Sequence, residues 1–267
     1  MVRSPAVAGQ FYPKHPAALT QTLDQLIPAT DGGLTACGVM VPHAGYVYSG
    51  AVAGRTFAAV AVPEEVVILG PNHHGAGHQA AVYRHGAWDT PLGRVPIAEA
   101  LADAVLAACP AMAADIQAHL YEHSLEVQVP FLQVRRSSVS ILPLCIGRVP
   151  LDVLLEIGDG LAKALLTRAH RPLLVASTDM THYESGETAR RKDHQALDRV
   201  LALDPEGLYR TVRDQRISMC GVLPTVVMLR AALALGATRA ELVAYANSGD
   251  VTGDQREVVG YAGVTVS

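Results

Sequence analysis

The chain has 267 residues and a net charge of -4; half of its residues are hydrophobic and only 17% are charged. That balance suits a well-buried core and excludes a disordered chain, while the short basic clusters Arg135-Arg136 and Arg190-Arg191-Lys192 are too small to be the footprint of a nucleic-acid binder. Neither the opening MVRSPAVAGQFYP nor any later segment has an apolar run of signal-peptide or bilayer-spanning length, so no membrane partner and a cytoplasmic location are expected.

Pro and Gly are spread along the chain with no low-complexity run and no repeat, which leads to the expectation of one domain over residues 1–267. Short β-rich apolar runs alternate with longer helical patterns, the mark of parallel strands joined by helices. In chain order the pattern predicts strands at Gly38–Val41 and Val66–Leu69, then a helix over Ile97–Ala108 with Ile97, Leu101, Val105 and Ala108 on one face. A strand at Val139–Ile146, a helix over Leu151–Leu166 and a strand at Leu173–Ala176 come after it. Helices over Ala189–Leu203 and Val222–Leu235 and a strand at Leu242–Ala246 come next, and Val258–Val266 alternates in the manner of an edge strand. The expected fold class is α/β, a three-layer sandwich around a mostly parallel sheet.

The segments just after the strands carry the chemistry: Pro42-His43-Ala44-Gly45-Tyr46, Gly70-Pro71-Asn72-His73-His74-Gly75 and Ser177-Thr178-Asp179-Met180-Thr181-His182. In an open α/β sheet, ligands bind outside the carboxyl ends of the strands, where loops converge and helix amino termini point. These three polar segments therefore share one edge. His43 and His73 are candidate metal ligands there, because neutral imidazole on a rigid loop suits zinc, iron and copper; His74 is the rival to His73. His182 and Asp179 are candidates for acid/base work, with the carboxylate orienting the ring. In Glu122-His123-Ser124-Leu125-Glu126, His123 and Glu126 lie one turn apart and either face the same cleft or belong, with Ser124, to a helix cap.

Cys37, Cys109, Cys145 and Cys220 are far apart with no Cys-x-x-Cys pair, which argues against a zinc ribbon, a thioredoxin-type site and a disulfide framework. Cys220 precedes an apolar helix, whose dipole favours a thiolate, and is either a soft metal ligand, a nucleophile or a buried structural thiol.

At these residues the sequence resembles the Memo family, whose bacterial and archaeal members are also called AmmeMemoRadiSam system protein B. The matching segments are Pro5–Pro13, Pro42–Tyr46, Leu69–His74, Glu122–Glu126, Thr178–His182 and Ile217–Gly221, so they run the length of the chain. The family is similar in fold to class III extradiol dioxygenases, which hold iron with two histidines and a carboxylate. The resemblance implies that His43 and His73 are the histidine ligands and that His123 and His182 are acid/base or substrate-contacting groups. It also implies that Cys220 stands where the dioxygenases have a carboxylate, which shifts preference toward softer ions. A mononuclear metal is implied as well, iron(II) or copper first and zinc next, in a redox role. In animal relatives the family is further associated with phosphorylated peptides, and in bacteria with a radical-SAM protein and AmmeMemoRadiSam protein A as partners.

Three functions fit, in this order: a metal-dependent oxidoreductase with His182, His123 and Asp179 as catalytic groups; a non-catalytic module that binds a small molecule, a (phospho)peptide or a metal ion in the same cleft; and a hydrolase with Cys220 as nucleophile and His182 as base.

Overall fold

The computed structural model describes residues 1–30 and 32–267. In chain order its elements begin with β1 (Val2–Arg3), α1 (Pro16–Leu26), β2 (Gly38–Val41), α2 (Tyr46–Ala59), β3 (Glu65–Pro71) and β4 (Ala80–Val82). Next come β5 (Ala87–Thr90), β6 (Gly93–Pro96), α3 (Glu99–Ala108), β7 (Ala113–Ala114), α4 (His123–Glu126), α5 (Val129–Arg135), β8 (Ser140–Ile146) and α6 (Leu151–Leu165). The rest are β9 (Leu173–Ser177), β10 (His182–Glu184), α7 (Gly186–Leu201), α8 (Pro205–Asp214), α9 (Val222–Ala234), β11 (Ala240–Asn247), α10 (Gly249–Thr252) and β12 (Val258–Val266). Among the described residues, no helix is long and apolar enough to cross a membrane.

Successive side chains of a strand point to opposite faces, and here both faces are apolar. Val39 and Val41, Val66 and Ile68, and Leu173 and Val175 enter one core, which α1, α2 and α5 close through Leu23, Phe57 and Phe131. Met40, Val67 and Leu69, and Leu174 and Ala176 enter the other, closed by α3, α6 and α9 through Leu101, Leu161 and Val226. The result is the expected three-layer α/β sandwich. Its sheet runs β10-β12-β2-β9-β3-β8-β4-β7, with β11 also on β12. The middle strands β2, β9, β3 and β8 are mutually parallel, and antiparallel pairs flank them, so the sheet is mixed.

The parallel register positions the chemistry. Val41 pairs with Ser177, Leu69 with Ala176 and Pro71 with Ile146, so the loops that begin at Pro42, Asn72 and Thr178 leave the same edge side by side.

Two parts of the architecture differ from the sequence pattern. β12 is not an edge strand: it lies between β2 and β11, and the edge falls to β11. Gly260, Gly263 and Thr265 made it look half-polar, yet all three are buried as small residues under close neighbours. α2 was not predicted, because Gly50 and Gly54 lower local helix propensity. A Cβ at Gly54 would stand 2.1 Å from the Leu26 carbonyl oxygen, so glycine there is what lets the end of α1 approach.

The amino-terminal segment is pinned beneath the site by one buried ion pair. Arg3 Nη1 donates to Glu126 Oε2 at 2.7 Å, Nη2 to the Glu122 carbonyl at 2.9 Å and Nε to the His119 carbonyl at 2.7 Å. Glu126 also accepts from the Ala6 amide, the Val7 amide and the Tyr12 hydroxyl. It therefore neither faces the cleft nor caps its own helix, the two roles the sequence left open; its carboxylate looks back at the chain start. Replacing Glu126 by Ala leaves the buried Arg3 guanidinium unpaired and is expected to cost about 3–5 kcal/mol in urea unfolding of the metal-free protein. A loss below about 1 kcal/mol would mean that the pair is not buried in solution.

Candidate metal centre

His43 sits just beyond β2, and its ring is fixed by the neighbouring strand. Its Nδ1 lies 3.0 Å from Ser177 Oγ. The Ser177 hydroxyl has one proton, which goes to the Ser124 carbonyl at 2.6 Å, while Gln128 Nε2 donates to the same oxygen at 2.8 Å. Ser177 can therefore only accept from His43, so Nδ1 carries the imidazole proton and Nε2 is left with a free lone pair. His73, beyond β3, reaches the same state by another route. Glu122 is buried and takes both the His73 amide at 2.7 Å and Nδ1 at 2.8 Å, which again leaves Nε2 bare. A carboxylate behind a histidine in this way fixes the tautomer and raises the basicity of the outward nitrogen.

The same Glu122 is the cap of α4, where Oε1 accepts from the Ser124 amide at 2.9 Å. This brings His123, the next residue, over the site: its ring stacks on His73 at 4.6 Å between centroids and meets His43 edge-on at 5.4 Å. One ring nitrogen each from His43, His73 and His123 lies within 4.8 Å of the other two, a group that can hold a metal ion. His74 is turned away and exposed, with Nε2 against the Tyr121 carbonyl at 3.1 Å, so His73 is the histidine that faces the group.

Cys220, expected as a ligand, is not part of that three-histidine group, but its Sγ lies 3.2 Å from His43 Nε2 and accepts from the Asp179 amide at 3.2 Å. The thiol proton has two acceptors in reach, that Nε2 and the Asp179 carbonyl at 3.6 Å. The expectation of a thiolate favoured by the following helix is not met: burial, and after it the Asp179 carboxylate, push the Cys220 thiol well above its usual range. Asp179 does not orient His182 either. Its Oδ1 accepts from the His43 amide at 2.7 Å and the Ala44 amide at 3.3 Å, so it ties β9 to the loop after β2. His182 is held between its own loop and the segment before α9, with Nδ1 within 2.9 Å of the Met180 and Ser218 carbonyls, and its Nε2 is free. His43, His73, His123, Asp179 and His182 line one cleft of about 670 Å³, and Cys220 lies behind that lining.

A sequence profile of the family described as Memo-like protein matches residues 3–265. The chain belongs to the Memo family. Its relatives include a MEMO1 family protein of Methanopyrus kandleri, 43% identical over 99% of this chain and 98% of that one, and one of Aquifex aeolicus, 43% identical over 98% of each. Among solved structures, an uncharacterized protein of Escherichia coli K12 has the same fold, with a TM-score of 0.53 at 15% identity over 86% of this chain and 99% of its own.

Three polar residues of this Memo-family site escaped the sequence reading: Glu122, Ser177 and Gln128. Glu122 alone left a signal, an acidic residue at the position before a helix start and beside a histidine. Ser177 and Gln128 are recognisable only through what they touch.

Burial sets the charge state of the site. Burial, and behind it the charge that His73 would carry, holds the His43 imidazole down at about 3. Burial and His43 hold His123 at about 4, and burial holds the neighbouring His119 at about 4. Burial alone would raise Glu122, but the His73 contact, the Ser124 amide and His123 outweigh it and keep the carboxyl at about 2. Each of these values lies below its unfolded counterpart, so the unfolded chain binds protons that the folded chain refuses and stability falls as pH falls. For the imidazoles the window runs from 6.5 down to about 3–4, and Glu122 extends the loss from 4.5 to about 2. The melting temperature of the metal-free protein is expected to drop steadily from about pH 7 to about pH 4. A flat profile over that range would contradict neutral buried imidazoles.

Proposed function

We propose that this Memo-family protein is a metal-dependent redox enzyme with one mononuclear ion at the strand carboxyl ends, iron(II) or copper first and zinc next. The observation that carries this reading is the double commitment of Nδ1: both His43 and His73 spend that atom on a buried acceptor, so each offers Nε2 and nothing else. The donors fit such an ion. Neutral imidazole and thiolate are ligands of iron(II), copper and zinc and poor ligands of magnesium or calcium. Two nitrogens bound at about 2.0–2.1 Å to one ion lie about 3–4 Å apart, within the span of the histidine group.

His43 and His73 would hold the ion through Nε2. Cys220 would join through Sγ once its proton leaves, because two ligands of one ion, a nitrogen and a sulfur, stand about 3.5 Å apart and Sγ is already 3.2 Å from His43 Nε2. His123, read from the sequence as an acid/base group, is near enough to be a further ligand. The ion would supply Lewis acidity and, as iron or copper, one-electron chemistry as well. The chain's own residues do the rest. Glu122 and Ser177 keep the ligand nitrogens aimed, Asp179 holds the His43 backbone, and His182 Nε2 faces the cleft as the group able to exchange a proton with a bound molecule.

Anaerobic purification followed by elemental analysis is expected to give about one equivalent of iron or copper per chain. His43→Ala should lose it, Glu122→Gln should bind it about 10–100-fold more weakly, and His182→Ala should keep it while oxygen consumption is lost. If His182→Ala lost metal as His43→Ala does, His182 would be a ligand and not an acid/base group.

Because the thiol is protonated in the metal-free protein, binding should release about one proton that Cys220→Ser does not release, measured by metal titration in buffers of different ionisation heat. Equal release by both proteins would remove Cys220 from the ligand set.

A further inference from the structure

The metal group occupies only one wall of the cleft. The other walls are aromatic and acidic: Phe11, Tyr48, Tyr183 and Tyr261 line it with Asp254 and Glu257, and no lysine or arginine is among the lining residues. Asp254 is neutralised by a forked contact with Arg256, at 2.6 Å from Nη2. Glu257 has no ion-pair partner among the described residues. Asp179 is 5% exposed and lines the cleft, yet it uses only Oδ1; Oδ2 accepts no hydrogen bond among the described residues. That oxygen is not sealed in the protein: it reaches the cleft and is open to a donor on a bound molecule.

An anionic ligand has little to bind here. Three of the strand-end amides that could receive a phosphate or carboxylate are already taken by internal carboxylates: His43 and Ala44 donate to Asp179, and His73 donates to Glu122. Tyr183 stands at the mouth, 75% exposed and in the left-handed region at φ 58, so an aromatic face is presented to whatever enters. Aromatic faces and carboxylates together attract organic cations.

We infer that the cleft takes a small organic ammonium ion: an aromatic or apolar body that lies among Phe11, Tyr48 and Tyr183, with its ammonium group toward Asp179 Oδ2 and Glu257. The cleft volume is that of a small-molecule site. A bound divalent ion does not reverse the preference, since a Cys220 thiolate and the Glu122 carboxylate behind His73 offset its charge and leave Glu257 in excess. The inference deepens the reading of the cleft as the substrate site of a metal enzyme.

Isothermal titration of the full chain, metal-free and zinc-loaded, with phenethylamine, 2-phenylethanol, phenyl phosphate and a capped lysine is the test. Phenethylamine is expected to bind about tenfold more tightly than 2-phenylethanol and phenyl phosphate in both forms. In Glu257→Gln that preference should shrink to about twofold, and Tyr183→Ala should weaken phenethylamine and 2-phenylethanol alike. Tighter binding of phenyl phosphate, an unchanged preference in Glu257→Gln, or no measurable binding of any probe would overturn the inference. Tighter binding of the capped lysine would overturn it in favour of a peptide side chain. A chain that binds no zinc but keeps the amine preference would defeat the metal reading and leave this one standing; the reverse result would do the opposite.

Discussion

Glu122 is the constraint on which the site depends. One buried carboxylate receives the His73 amide, the His73 ring and the Ser124 amide, and thereby joins the end of β3 to the start of α4. Burying a carboxylate is expensive unless hydrogen bonds repay it, and here every bond that repays it also positions a histidine. Gly70 makes the junction possible: a Cβ there would lie 2.6 Å from Ser124 Oγ and 2.9 Å from Leu125 Cγ, so α4 could not settle on the strand end with any other residue. The cap, the histidine tautomer and the seat of the helix are thus one arrangement.

A second network of the same kind holds His43. Gln128 Nε2 bridges the Pro42 carbonyl and Ser177 Oγ, and Ser177 passes its proton to Ser124. Both networks meet at Ser124, which gives its amide to Glu122 and its carbonyl to Ser177. Neither histidine can rotate without leaving a buried polar atom unpaired, which costs about 1–3 kcal/mol. The wall of the cleft that bears the metal group is rigid for this reason, whereas its opposite wall carries exposed side chains such as Tyr48 and Tyr183. A fixed metal-binding wall facing an adaptable ligand-binding wall is a natural division for a site that orients a bound molecule beside an ion.

The central strands were legible in the sequence because being buried on both faces demands unbroken apolar runs, and Val66–Leu69 and Leu173–Ala176 contain nothing else. α2 and the interior place of β12 were not, since both depend on small residues that are chosen by close neighbours and not by local propensity: Gly54 against Leu26, and Gly263 against Thr56. In the site, His43, His73, His123, Asp179, His182 and Cys220 stood out as reactive residue types beside strand ends, and the structure brings all of them to one edge. Their mutual relations were less legible. The sequence suggested that Asp179 serves His182, but the parallel pairing of β2 with β9 sets that carboxylate against the His43 amide instead.

By itself, then, the sequence determined the α/β layering, the edge on which the polar loops gather and the residue types available to a metal, because periodicity and strand-end loops are local properties of the chain. Only the tertiary structure decided which nitrogen each histidine offers, that His123 joins His43 and His73, that Glu126 belongs to the amino-terminal segment and Glu122 to the site, and that the cleft is acidic and aromatic away from the histidines. Each of those depends on contacts between residues tens to hundreds of positions apart. Hydrogen-bond acceptors such as Ser177 Oγ and the Ser124 carbonyl acquire their role only when the sheet register and the seat of α4 bring them within about 3 Å of a donor.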